Sequence, residues 1–214
     1  MVGKRAGTLL ALMERIETFT LNRVWTELSD DEFFWEPVAG AWGVRRRIEC
    51  TTPCPFGDGD WVADFDNDVA LRAMGTGNVE PMTTIGWLLW HIGSQPGRVA
   101  DIDIFGGGKS LASGWTSPYL THHPVFSRAP DATASLRAGW NAFRSALEAA
   151  DDVQLELRTP GYTYKAEPPR AGLLALGPPG PERPVFLYVA ATLNEISHHG
   201  AQMCALRDLY RWTR

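Results

Sequence analysis

The sequence predicts an all-α fold, a four-helix bundle with long loops and a small β-hairpin. Four stretches carry apolar residues at helical spacing, glycine and proline crowd the segments between them, and no alternating run is long enough to build a large sheet. With 214 residues, a hydrophobic share of 44% and nine tryptophans, the chain has the apolar material for one domain with a substantial core.

The first helix is expected over about 7–28, where Leu9, Met13, Ile16, Val24 and Leu28 fall on or near one stripe. Ser29-Asp30-Asp31-Glu32 then matches the capping box, in which serine and glutamate reciprocally satisfy free backbone amides, and predicts a short helix anchored by Phe33, Phe34 and Trp35. Residues 36–81 read as a long loop region, with Trp61-Val62-Ala63-Asp64-Phe65 as the one short stretch that alternates like a strand. Two features inside it have plain explanations. Arg45-Arg46-Arg47 reads as a solvated basic run, an anion or substrate contact being the alternative. Asp58, Asp60, Asp64, Asp66 and Asp68 lack the spacing and terminal glutamate of an EF-hand and read as exposed loop carboxylates.

The second main helix is expected from Thr83 or Thr84, either able to cap it, with Ile85, Leu88, Leu89 and Ile92 facing inward until about residue 104; Gly106-Gly107-Gly108 stops it. A third helix over about 132–150 places Leu136, Trp140, Phe143 and Leu147 on a buried face. Gln154 to Arg158 and Tyr162-Thr163-Tyr164 flank Thr159-Pro160-Gly161, which reads as the turn of a small hairpin or of paired extended segments. After a stretch dominated by proline and glycine, the last helix is expected from about Pro184 to about Tyr210. Together these indicate an antiparallel-type bundle.

A formal charge of −5 gives no general attraction to nucleic acid, and no segment reads as a membrane span or a targeting signal. A cytoplasmic location is the expectation. Three cysteines without a secretion signal argue against a disulfide framework, and Cys50 and Cys54 lack the second ligand pair of a structural zinc site.

The chemistry concentrates in Leu193-Asn194-Glu195-Ile196-Ser197-His198-His199-Gly200-Ala201-Gln202. Glu195 and His199 lie four residues apart, so on a helix they share one face. His198 is turned about 100° from His199 and does not aim at the same point. Trp87-Leu88-Leu89-Trp90-His91-Ile92 sets a lone histidine in an apolar helical run; alone it reads as a core histidine, but with Glu195 and His199 it completes a two-histidine, one-carboxylate metal set. A mid-helix carboxylate such as Glu195 is costly to bury unless paired or metal-bound. Gln202, one turn on, either orients a ligand from behind or is a polar residue at a bundle end. His122 and His123 sit in a loop without helical register and are not expected to be ligands. Trp35, Trp42, Trp61, Trp87 and Trp90 either wall a hydrophobic pocket near the site or pack the core.

Thr83 to Ile92, Asn194 to Gln202 and the following Leu206-Arg207-Asp208-Leu209-Tyr210 resemble the DinB-like, or YfiT-like, family of metal-dependent bundle proteins; Leu28 to Glu32 and Trp35-Glu36-Pro37-Val38 resemble the segment after that family's first helix. The resemblance implies a ligand from the second helix at His91 and one from the fourth at His199, and it places Glu195 where the family carries a further histidine. It also implies a divalent transition metal, zinc or nickel first and iron or manganese next, together with a low-molecular-weight thiol such as mycothiol or bacillithiol. The expected activity is thiol-dependent S-transfer or isomerisation on a small-molecule substrate, by a homodimer. Metal-dependent hydrolysis, or a non-catalytic metal-binding role in stress, is the alternative.

Overall fold

The computed structural model describes residues 3–53, 55–57, 59–66, 69, 81–93, 95–98, 124–164 and 176–214, with the backbone alone for 97–98, 159–164 and 176–181. The described chain is mostly helical, with two small antiparallel strand pairs. Helix α1 (Lys4–Ile16) continues through a π-helical turn (Glu17–Leu21) into α2 (Asn22–Trp25). This replaces the single expected helix over 7–28. The expected stripe is nevertheless buried, Leu9, Met13, Ile16, Val24 and Leu28 all being core residues.

Helix α3 (Asp30–Phe34) starts on the predicted capping box: Ser29 Oγ accepts from the Glu32 amide at 3.1 Å and the Glu32 carboxylate from the Ser29 amide at 3.2 Å. Such a cap contributes about 1 kcal/mol. Phe33 is 1% exposed and packs so closely on α4 (Ile85–Gly93) that a Cβ on Gly86 would stand 2.9 Å from its ring. Thr84 is the cap of α4, its hydroxyl accepting from the Trp87 amide at 3.1 Å. The short α5 (Gln95–Arg98) follows, and the predicted glycine stop at 106–108 lies outside the described residues.

Strands β1 (Val44–Arg46) and β2 (Trp61–Ala63) pair antiparallel, Val44 opposite Ala63. Here two expectations are corrected. Arg45 is no solvated loop residue: its Nε donates to Asp64 at 2.6 Å and an Nη to the Ala41 carbonyl at 3.0 Å. Asp64 is no exposed carboxylate: it is 2% exposed and also accepts from the Gly43 amide at 2.8 Å. A buried carboxylate persists because a guanidinium and a backbone amide replace its lost water. Asp60 is exposed as expected, whereas Asp58 and Asp68 lie outside the described residues.

Helix α6 (Ala129–Ala149) buries Leu136, Trp140, Phe143 and Leu147 completely, as its periodicity requires. The hairpin reading needs correction. Residues Asp152–Glu156 form a short helix, α7, because Asp151 and Gln154 make a second capping box. Thr159-Pro160-Gly161 is part of a continuous strand β3 (Arg158–Tyr164), paired irregularly with β4 (Leu176–Pro184). Proline and glycine there signal the irregular register, not the reversal.

The last helix, α8 (Val185–Thr213), has 29 residues and extends about 43 Å at 1.5 Å per residue. Its direction relative to the others follows from tertiary contacts. Arg5 lies over Phe186, Cys204 bonds the Thr20 carbonyl and Arg23 pairs with Asp208, so α1 and α2 run the same way as α8. Thr83 meets Gln202 and His91 meets His199, so α4 runs the opposite way. Arg137 covers Trp25 while Trp140 bonds Glu17, which sets α6 antiparallel to α1. Side chains of all these helices join one apolar cluster. No helix among the described residues is long and apolar enough to cross a membrane.

Candidate metal centre

Helices α4 and α8 cross where His91 of α4, with Thr83 just before that helix, faces Gln202, His199 and Glu195 of α8. Glu195, His199 and Gln202 follow at intervals of four and three residues, so the 3.6-residue repeat lines them along one stripe of α8. His91 enters from α4. One donor atom from each of His91, Glu195 and His199 can be chosen so that all lie within 4.8 Å of one another. The three residues singled out in the sequence therefore meet at one point.

The protonation pattern is set from behind. Gln202 Nε2 donates to Thr83 Oγ1 at 3.2 Å, which leaves its Oε1 facing His199 Nδ1 at 3.1 Å. An amide oxygen accepts only, so Nδ1 donates to it and Nε2 is the nitrogen turned toward the donor set. That Nε2 faces Glu195 Oε2 at 3.2 Å. Two electron-rich atoms this close need a positive charge, either a proton on Nε2 or a metal ion. His91 is held neutral, its pKa lowered to about 4 by burial first and by the charge of His199 second, against an opposing pull from Glu195. The hydrogen bond from His199 keeps the Glu195 carboxyl below its ordinary range, with burial opposing it. A single proton serves one donor pair, whereas three convergent donors of this kind suit a divalent ion.

Access differs among the ligands. His199 is 8% exposed, but the Glu195 side chain is 45% exposed, so the donor set is open on the glutamate side. His198 is exposed and its ring stacks on His199 at 4.5 Å, outside the donor set, as its angular offset predicts. His122, His123 and Cys54 lie outside the described residues.

Three neighbours take roles at the site that the sequence does not announce. Trp87 stacks flat on His91, centroids 4.9 Å apart and planes 14° from parallel; its i, i+4 spacing was the available signal. Thr83 holds Gln202. Gly200 lets α8 approach the π-helical turn, since a Cβ there would stand 2.5 Å from Thr20 Cγ2. Of the five tryptophans considered as pocket walls, Trp42, Trp87 and Trp90 are buried against one another and against Phe56 and Phe65. Trp61 instead lines a separate cleft of about 260 Å³ with Phe34, Glu36 and Arg45, to which none of the three candidate ligands contributes.

No protein-family model, curated protein or solved structure matches this chain.

Proposed function

We propose that this chain is a DinB-like metal-dependent enzyme on a four-helix bundle, in which His91, Glu195 and His199 hold a divalent transition ion and a low-molecular-weight thiol is passed to a small electrophilic substrate. The observation that carries the metal reading is the convergence of three donor atoms within 4.8 Å, with His91 neutral and the His199 proton assigned to Nδ1. A bound ion would supply Lewis acidity, favouring the thiolate of a ligated thiol.

The chain's own residues supply the rest. Gln202, held by Thr83, keeps the His199 lone pair aimed at the donor set. Trp87 covers one face of His91 and excludes water from it. Glu195 adds a negative charge that makes the site less electron-withdrawing than three imidazoles, so a thiol there is less acidified than at an all-histidine centre. The exposure of Glu195 leaves a side open to substrate, which favours an enzyme over a closed structural site.

Elemental analysis of the purified protein beside His91→Ala, Glu195→Ala and His199→Ala tests the metal reading. About one equivalent of zinc, nickel, iron or manganese in wild type, lost in each folded variant, is the expected result. Assays pairing mycothiol, bacillithiol or glutathione with electrophiles then test the reaction. Turnover without any thiol would point to metal-dependent hydrolysis, and bound metal without turnover to a non-catalytic role. Sedimentation of the same preparation tests the homodimer.

A further inference from the structure

We infer that Trp87 is a positioning residue that fixes the ring plane of His91. The consequence for metal affinity rests on the metal reading above; the clamp itself does not. An imidazole turns about the bond joining it to Cβ, and a ligand nitrogen is useful only in one setting of that torsion. His91 is confined on two sides. The indole of Trp87 lies against one face at 4.9 Å and 14°, and His199 stands edge-on at 4.9 Å and 89°. A quarter turn of the His91 ring would give up the flat stacking on the indole and the edge contact with His199 together.

The clamp is itself anchored. Trp87 is 8% exposed, and its Nε1 donates to the Asp64 carbonyl at 2.8 Å. Asp64 is fixed in turn by Arg45, by the Gly43 amide and by Cys50, whose thiol donates to its carboxylate at 3.1 Å. Trp42 and Trp90 pack on the indole at 5.7 and 5.6 Å. A chain of contacts therefore runs from the β1–β2 pair through Asp64 and Trp87 to the imidazole. This gives the buried Arg45–Asp64 pair a purpose that a solvated loop would not have: it holds the carbonyl on which the indole hangs. Ordering a ligand before the metal arrives removes the entropy cost of ordering it afterwards.

Two readouts separate the clamp from the metal reading. In metal-free protein labelled at histidine, NMR places the His91 Hδ2 and Hε1 resonances upfield through the indole ring current. They move toward free-imidazole positions in Trp87→Leu. Zinc affinity, measured by competition with a chromophoric chelator, falls roughly 10- to 100-fold in Trp87→Leu, the range for residues that orient a ligand. Trp87→Phe keeps an aromatic plane but loses the N–H, so its loss is smaller; it also carries the test if the leucine variant does not fold. Trp140→Phe, a core change on α6, leaves affinity at the wild-type value. Unshifted His91 resonances in wild type, or zinc affinity unchanged in Trp87→Leu, overturn the inference. A wild type that takes up no zinc, nickel, iron or manganese yet shows the upfield His91 signals refutes the metal reading and supports the clamp.

Discussion

His199 Nε2 and Glu195 Oε2 stand 3.2 Å apart on successive turns of α8, while the other ring nitrogen of His199 faces Gln202. Removing the carboxylate's charge while keeping its shape isolates what that oxygen contributes. Glu195→Gln should lower affinity for a divalent transition ion at least about tenfold, or about 1.4 kcal/mol. Glu195→His should retain the ion and shift preference from manganese toward zinc and nickel, since imidazole suits the later metals better than carboxylate does. Competitive loading from an equimolar metal mixture, read by elemental analysis, checks both.

Gln202 should matter to the metal more than to the fold. Gln202→Leu removes the acceptor that keeps the His199 proton on Nδ1 and frees Thr83 Oγ1. Metal affinity is expected to fall about 10- to 100-fold, while urea denaturation of the metal-free protein changes by no more than about 1.5 kcal/mol, the net worth of an ordinary hydrogen bond. Equal losses in affinity and stability would contradict the assigned orienting role.

Arg207 ties α8 to α3. It is 3% exposed and grips Glu32 with Nε at 3.0 Å and Nη2 at 3.1 Å, while its guanidinium also serves the carbonyls of Arg23, Thr26 and Glu27. Arg207→Leu strands a buried carboxylate and several carbonyls and should cost about 3–5 kcal/mol in urea denaturation at pH 7.

The same pair gives a pH dependence. Burial alone would raise the Glu32 pKa, but the hydrogen bonds from Arg207 and the Ser29 amide, with the charges of Arg207 and Arg211, bring it below its ordinary 4.5. A lowered folded-state pKa means that the unfolded chain takes up the proton first as pH falls. The contribution is therefore complete above pH 4.5 and lost as pH drops through the lower folded value. Glu32→Gln should be less stable than wild type at pH 7, with the gap narrowing in the acid range; a constant gap would show that ionisation of Glu32 does not matter.

Gly200 lets α8 lie against Thr20 of the π-helical turn with no room for a Cβ. Gly200→Ala puts a methyl 2.5 Å from Thr20 Cγ2, so Thr20, stiff at χ1, or the helix has to shift. Overpacking of this kind costs about 1–3 kcal/mol, and metal affinity should fall with it because His199 is the adjacent residue. Thr20→Ala in the same chain should restore both, which thermal denaturation and chelator competition will show.

Local signals in the sequence carry much of the helical framework. Ser29 and Glu32 announce a cap by residue type and spacing, Thr84 precedes an apolar run, and Leu136, Trp140, Phe143 and Leu147 keep helical step. The meeting of His91 with Glu195 and His199 was also legible, because i, i+4 spacing fixes a face and each was out of place among apolar neighbours. Longer-range partnerships were not. Arg45 looks solvated beside Arg46 and Arg47, and only the pairing of β1 with β2 brings Asp64 to it. Thr159-Pro160-Gly161 has turn chemistry, yet pairing with β4 keeps it extended. Helix direction leaves no trace in periodicity, so the parallel course of α1 and α8 could be found only from contacts such as Arg23 with Asp208.

The turn between α1 and α2 has a consequence for chain length. Its closing bond runs from the Asn22 amide to the Glu17 carbonyl, five residues back, so this turn accommodates one residue more than a regular one. Ile16 and Leu21, five positions apart, both remain in the core because of it. Phe19 is 67% exposed within that stretch, with the Arg15 guanidinium over its ring. The first helix thus resembles one that has absorbed an insertion without turning its two halves out of phase, and deletion of Phe19 should shorten the protein while leaving both halves facing the interior.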